Sequence, residues 1–356
     1  QDCPPRARSR AAAAMSALAP ALGLLALAAG AAGVTLQIPT KGGFLQRPRL
    51  RCDPELDSAE RRPSVEDVSA PALGVAAIQE DEREYMHNLS HVRECNSSYT
   101  HMGDWFHPLV LPEYKLAFCY ISKVACTDFK DLFNTINGFG KHTLGFGHDY
   151  EASMSVNNNI TESEMTRKNG WKFAAFTRDP ALRYLSAFGD TCLYPNLHPH
   201  CCCGPLVFRG LPKEEMLKRF KARLGMDLEL GTAKDEQHWA QQTDVLDVCG
   251  WHKFKPSHLD FWGSLSGDMN AQVKEMLRLV GYVNDPVVNT FFPETHIAGH
   301  HSHLKGEPLA YFNDLETLEG LMKLYEQDYR SLPGVGCAFT EPLLARLRAQ
   351  RGGAAG

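Results

Sequence analysis

Two cations in this chain stand where a buried strand gives way to a helix, a place from which a positive side chain can hold an anion. The first is Lys123. Leu116-Ala117-Phe118-Cys119-Tyr120-Ile121 is an unbroken apolar run, as expected of a strand buried on both faces. Ser122-Lys123-Val124-Ala125-Cys126 follows, and Thr127 opens a helix whose Phe129, Leu132, Phe133 and Ile136 form one apolar stripe before Asn137-Gly138 ends it. The second is Arg178. Trp171 to Thr177 reads as another buried strand, Asp179 as an N-cap and Pro180 as the first helical residue, with Leu182, Leu185 and Phe188 facing inward and Ser186 two turns in. A helix start offers unpaired N–H groups and a positive dipole end, and an arginine fork grips a phosphate with paired hydrogen bonds. A lone Lys or Arg after a strand is ordinarily a surface charge. Two of them in one parallel sheet point to a ligand with two separated anionic groups, taken up outside the carboxyl ends of the strands.

Other ligands fit less well. The first loop has no glycine and reads Lys-x-x-x-Thr, not the Gly-x-x-x-x-Gly-Lys-Ser/Thr of an ATP or GTP loop, and no Gly-x-Gly-x-x-Gly follows a strand. His296, His300, His301 and His303 lack partners at a recognised metal spacing, so a solvated or acceptor-facing loop is the simpler reading; no metal is expected. Cys201-Cys202-Cys203 lacks Cys-x-x-Cys spacing and reads as disulfide material, with Cys192 and Cys249 as partners. Cys119 reads as a free core thiol and Cys126 as a small packing residue. Lys213 to Arg223 reads as a docked basic helix with Met216, Leu217 and Phe220 on one face.

The sequence resembles a known family at several places in order. Phe118 to Thr127 looks like the 5′-phosphosulfate loop of membrane-bound Golgi carbohydrate sulfotransferases of the chondroitin/dermatan type, and Phe176 to Phe188 looks like their 3′-phosphate motif. His238-Trp239-Ala240-Gln241-Gln242 is similar to the family's His-Trp-x-Pro-Gln segment, and Tyr325-Glu326-Gln327-Asp328-Tyr329 resembles its closing Tyr-x-x-Asp-Tyr/Phe helix. The chain departs from the family pattern at Ser122 and Gln241, where proline is common, and at Ser264-Leu265-Ser266, where many members read Glu-Thr-Leu.

The resemblance implies a donor, 3′-phosphoadenosine 5′-phosphosulfate (PAPS), that is a co-substrate with two anionic ends, and an α/β fold: a P-loop-like three-layer sandwich around a central parallel sheet. It implies that Lys123 neutralises the bridging oxygen as the nucleotide leaves, that the backbone of Lys123, Val124, Ala125, Cys126 and Thr127 holds the 5′-phosphate, and that Arg178 and Ser186 hold the 3′-phosphate. A sugar hydroxyl is a poor nucleophile, and a histidine exchanges protons near neutrality, so His238 is the expected general base. A core hydrogen bond is the competing role for His238, and Asp235 and Glu236 are the fallback bases. The expected activity is sulfuryl transfer to a glycan hydroxyl. A tyrosine or small-alcohol sulfotransferase, or a catalytically silent glycan-binding protein of the same fold, are the alternatives. His238, Lys123 and the donor residues need no metal for this scheme.

These residues must be carried by a folded domain in a suitable compartment. With 356 residues, 44% hydrophobic and 22% charged, the chain fits one large domain with appendages and excludes collagen-like, coiled-coil and wholly disordered classes. A net charge of −5 argues against a dedicated nucleic-acid binder. Eleven cysteines, including the triplet, suit an oxidising lumen. No charge falls between Ala11 and Thr40, enough apolar chain to span a bilayer as a signal-anchor, or to act as a cleaved signal peptide ending near Gly30-Ala31-Ala32-Gly33. Asn88, Asn96 and Asn159 stand in glycosylation tripeptides. The expected organisation is a tail and anchor over 1–38, a proline-containing stem over 39–84, a catalytic domain over 85–340 and a flexible tail over 341–356. The expected location is the Golgi membrane, single-pass type II with the catalytic domain luminal, or secretion if the segment is cleaved.

Overall fold

The computed structural model describes residues 107–139, 152–194, 202, 207–208, 211–231, 237–294 and 308–353. The apolar segment over 11–40, the stem, Asn88, Asn96, Asp235, Glu236 and the histidines from His296 to His303 lie outside the described residues.

Four strands form the central sheet: β1 (Leu109–Leu111), β2 (Leu116–Cys119), β3 (Lys172–Thr177) and β6 (Phe261–Ser264), in the order β1-β2-β3-β6. β2, β3 and β6 run parallel, with Ala117 beside Phe173 and Ala175 beside Trp262. The expected parallel centre is present, and one edge adds an antiparallel strand, where β1 pairs with β2. The link between them is a tight turn in which the Tyr114 amide bonds the Leu111 carbonyl at 3.1 Å, and so short a connection can join only antiparallel neighbours. β4 (Leu193–Tyr194) and β5 (Val207–Phe208) pair separately.

The crossovers are helical. α1 (Cys126–Ile136) follows β2, and α2 (Pro180–Thr191) follows β3. α3 (Lys213–Leu230), α4 (Gln242–Val248) and α5 (Trp251–Phe254) precede β6. α6 (Met269–Arg278), α7 (Asp285–Phe291), α8 (Pro308–Tyr311), α9 (Leu315–Leu324), α10 (Glu326–Ser331) and α11 (Thr340–Gly353) complete the domain.

Strand alternation sorts the core into two faces. On one, Phe118 meets Phe129 and Phe133 of α1 at centroid distances of 4.4 and 5.4 Å, and Phe129 meets Phe292 after α7 at 4.8 Å. Phe176 shares this face, and it fits because Gly263 opposite has no side chain: a Cβ there would lie 2.3 Å from the ring. The other face carries Ala117, Cys119 and Ala175, small enough for α4 to approach and for a Cys119–Cys249 disulfide to form. Cys119 is therefore not a free thiol, and Cys249 bonds the sheet, not the triplet. Cys192 does pair with a triplet member, Cys202, while Cys126 is free.

α9 is capped by Asp314, which accepts the Thr317 amide at 2.8 Å. Two further expectations change. The stretch assigned to a flexible tail is helical to Gly353, and Leu343, Leu344 and Leu347 are buried in the core. The basic helix is α3, and it is longer than expected. Its Arg223 is buried against the Trp239 ring at 4.2 Å and paired with Asp227 at 2.9 Å, so part of its charge points inward.

Candidate active site

The candidate site lies at the carboxyl ends of β2 and β3, two neighbouring parallel strands. After β2 the chain turns sharply, with the Val124 amide bonded to the Ile121 carbonyl at 3.0 Å. Lys123 and Ala125 both take positive φ, 68° and 50°, a left-handed conformation that costs a non-glycine residue about 1–2 kcal/mol. The turn delivers the chain into α1 with Ala125 as an N-cap that offers no side-chain bond. The amides of Cys126 and Thr127 open the helix, where position denies them an intrahelical acceptor. Val124 is buried and its amide is used by the turn, so it shapes the loop instead of facing an anion. Lys123 is largely sheltered and its ammonium forms a short ion pair with Asp190 near the end of α2.

After β3 the geometry is fixed by side chains. Asp179 is buried, and its Oδ1 accepts the Ala181 amide at 2.9 Å as the expected cap of α2. Its other bonds come from Thr340, whose amide and hydroxyl donate at 3.1 and 2.8 Å, and Tyr329 shares that hydroxyl at 2.9 Å. Burial raises the Asp179 carboxyl above its ordinary range, and the bonds from Thr340 and Ala181 work against that rise. Arg178 is tied at its backbone to Gln242, and its guanidinium Nη1 donates to the Lys123 carbonyl at 3.1 Å. Burial lowers the Arg178 pKa to about 10, opposed by the Asp179 charge, and this leaves a cation at neutral pH. Lys123 and Arg178 are thus neighbours. Ser186 lies half-buried on α2.

A third segment is bound to the first by an arginine that sequence reading passed over. Arg183 on α2 has no exposed surface. Its guanidinium donates to the carbonyls of Ser122 at 2.9 Å, Gln237 at 2.8 Å and Ala240 at 2.5 Å. Those carbonyls flank Lys123 on one side and bracket His238 on the other. The Ser122 hydroxyl adds a bond to Gln237 Oε1 at 3.3 Å. His238 is half-buried beside the fully buried Trp239, whose carbonyl accepts the Tyr325 hydroxyl at 2.5 Å. The signal for Arg183 was present in sequence: a charge set among Ala181, Tyr184 and Leu185 on a buried helix must find acceptors, because an unpaired buried charge is prohibitively costly.

The departures from the family pattern at Ser122 and Gln241 are accommodated by hydrogen bonds. Ser122 makes the bond just described, and Gln241 Oε1 accepts the Gln327 amide at 3.1 Å in the first turn of α10.

Comparisons with known proteins cover the same stretch of chain. A model of the sulfotransferase family matches residues 106–332, more than half of the chain, and the chain belongs to that family. Carbohydrate sulfotransferase 9 of Homo sapiens is 26% identical over 117 residues, covering 31% of this chain and 26% of that protein. Carbohydrate sulfotransferase 14 of Mus musculus is 25% identical over 234 residues, covering 59% of this chain and 56% of that protein. The chain therefore spans about a quarter of the one relative and just over half of the other. No solved structure matches it.

Proposed function

We propose that this protein transfers a sulfuryl group from PAPS to a hydroxyl of a carbohydrate acceptor, in the Golgi lumen. The observation that supports the reading is the adjacency of the two turns: the Arg178 guanidinium donates to the Lys123 backbone carbonyl at 3.1 Å, so an arginine and a lysine stand on neighbouring strand ends. A nucleotide with a 3′-phosphate and a 5′-phosphosulfate has two anionic ends for two grips. The matched family and the printed names of the two relatives support the same chemistry.

In the proposed reaction the acceptor oxygen forms a bond to sulfur while the bond from sulfur to the 5′-phosphate oxygen breaks. The departing 3′-phosphoadenosine 5′-phosphate (PAP) carries away the electron pair and the growing negative charge. Lys123 meets that charge, and the amides of Ala125, Cys126 and Thr127 hold the phosphate that bears it. Arg178 and Ser186 hold the 3′-phosphate. His238 takes the proton from the acceptor hydroxyl, and Arg183 keeps its segment beside the Lys123 turn. Positioning and charge stabilisation supply the catalysis, as they do in phosphoryl transfer.

The test is to incubate the full chain with radiolabelled PAPS and a panel of sulfatable glycans, alongside tyrosine peptides and small alcohols. Label should enter a glycan and depend on Lys123. Label entering only peptide or alcohol, or none of the acceptors while PAP still binds, would refute the carbohydrate reading.

A further inference from the structure

The side chain of Gln242 has no place in the chemistry above, yet both of its polar ends are committed to Arg178. Its Oε1 accepts the Arg178 amide at 2.9 Å and its Nε2 donates to the Arg178 carbonyl at 2.8 Å. The pair of bonds imitates a strand partner for a residue that has just left β3. Gln242 is fully buried, so water does not compete for these groups.

The carboxamide is oriented in turn. Asp328 Oδ2 accepts the Gln242 backbone amide at 2.9 Å and its Nε2 at 3.3 Å, while Oδ1 accepts the Thr243 amide at 2.9 Å and hydroxyl at 3.1 Å. A primary amide nitrogen has two hydrogens, one for the Arg178 carbonyl and one for Asp328, so the acid fixes which way the amide faces. Asp328 has no exposed surface and belongs to α10, the helix that also supplies Tyr329 to the Thr340–Asp179 linkage. Arg178 is therefore held from both sides by one helix, through Gln242 at its own backbone and through Asp179 at the next residue.

We infer that Gln242, oriented by Asp328, is a positioning residue for Arg178: it fixes the backbone from which the guanidinium grips the 3′-phosphate and so sets nucleotide affinity. The inference rests on the reading of Arg178 as a donor-binding residue.

A double-mutant cycle tests it. PAP affinity is measured by titration calorimetry on the full chain for the native protein, Gln242→Met, Arg178→Ala and the double variant, with a thermal melt of each. Methionine keeps the length and the burial but makes neither bond. Gln242→Met should weaken PAP binding about tenfold, the worth of two modest hydrogen bonds. In steady state it should raise KM for PAPS with kcat little changed. The double variant should bind no more weakly than Arg178→Ala, because an effect exerted through Arg178 vanishes with its side chain. Asp328→Asn, which keeps the volume and removes part of the acceptor set, should show a smaller loss with the same lack of additivity, and it serves if Gln242→Met does not fold. Losses that add in the double variant, or a lowered melting temperature with unchanged PAP affinity, would overturn the inference and leave Gln242 a purely structural cap. If Arg178→Ala itself leaves PAP affinity unchanged, the donor-site reading fails instead, a result distinct from the other two.

Discussion

The turn that carries Lys123 and the turn that carries Arg178 occupy equivalent places after adjacent strands and are built in opposite ways. The first is strained and held from outside itself: positive φ at Lys123 and Ala125, a helix start without a side-chain cap, an ammonium paired with a partly exposed aspartate, and Ser122 and Lys123 carbonyls held by Arg183 and Arg178. The second is over-determined, with Gln242 clamping Arg178 and Asp179 receiving bonds from Ala181 and Thr340. Strain of about 1–3 kcal/mol per residue persists only where the surroundings enforce it, and it gathers where chemistry happens. In the reaction proposed above the contrast becomes a division of labour: the rigid turn holds an anion that does not change, and the strained turn meets the charge that does.

Breaking the contrast at its reactive end should give the largest effect. Lys123→Ala should lower turnover about 10²–10³-fold, the usual loss on removing a donor to developing charge. The partly exposed ion pair it sacrifices is worth at most about 1 kcal/mol, so the melt should hardly move. Initial rates at saturating PAPS and a circular-dichroism melt check both halves. Asp179→Ala attacks the rigid end through stability: losing a cap and stranding Thr340 should cost about 2–3 kcal/mol in urea unfolding. Arg178→Ala should weaken PAP binding by about 2 kcal/mol, roughly thirtyfold, by calorimetry, with the fold intact. An equal collapse of turnover at saturating donor in Arg178→Ala and Lys123→Ala would erase the proposed division. The smallest effect sharpens it. Ala125→Gly should relieve the left-handed residue and stabilise the chain by up to about 1 kcal/mol, whereas a destabilisation would show the turn to be unstrained.

Sequence alone carries the framework of this site further than its support. The apolar runs before Lys123 and Arg178, the Asp179-Pro180 helix start and the stripes on α1 and α2 are local patterns, and each reappears as a strand or helix within a residue or two. What stayed hidden depends on residues far apart in the chain. The family segment marks Gln242 without saying what it touches and nothing local marks Gln272, yet Gln242 clamps the end of β3, and Gln272 clamps Ser264 at the end of β6 through bonds of 2.9 Å. The Cys119 partner was illegible because any of the ten other cysteines satisfies the composition. Burial of Leu343, Leu344 and Leu347 was missed because a terminal Leu/Arg segment shows no surface to dock on until α9 is placed.

The bond between Cys119 and Cys249 gives the molecule a tolerance of its own. It closes a span of 130 residues, from the strand before Lys123 to the end of the helix that begins at Gln242. A peptide bond hydrolysed once inside that span would leave two fragments travelling as one species, with the Lys123 turn still fastened beside the helix that follows His238. Only after thiol treatment would electrophoresis reveal the nick, so in an oxidising compartment such damage would pass unseen and the two fragments would go on building one site.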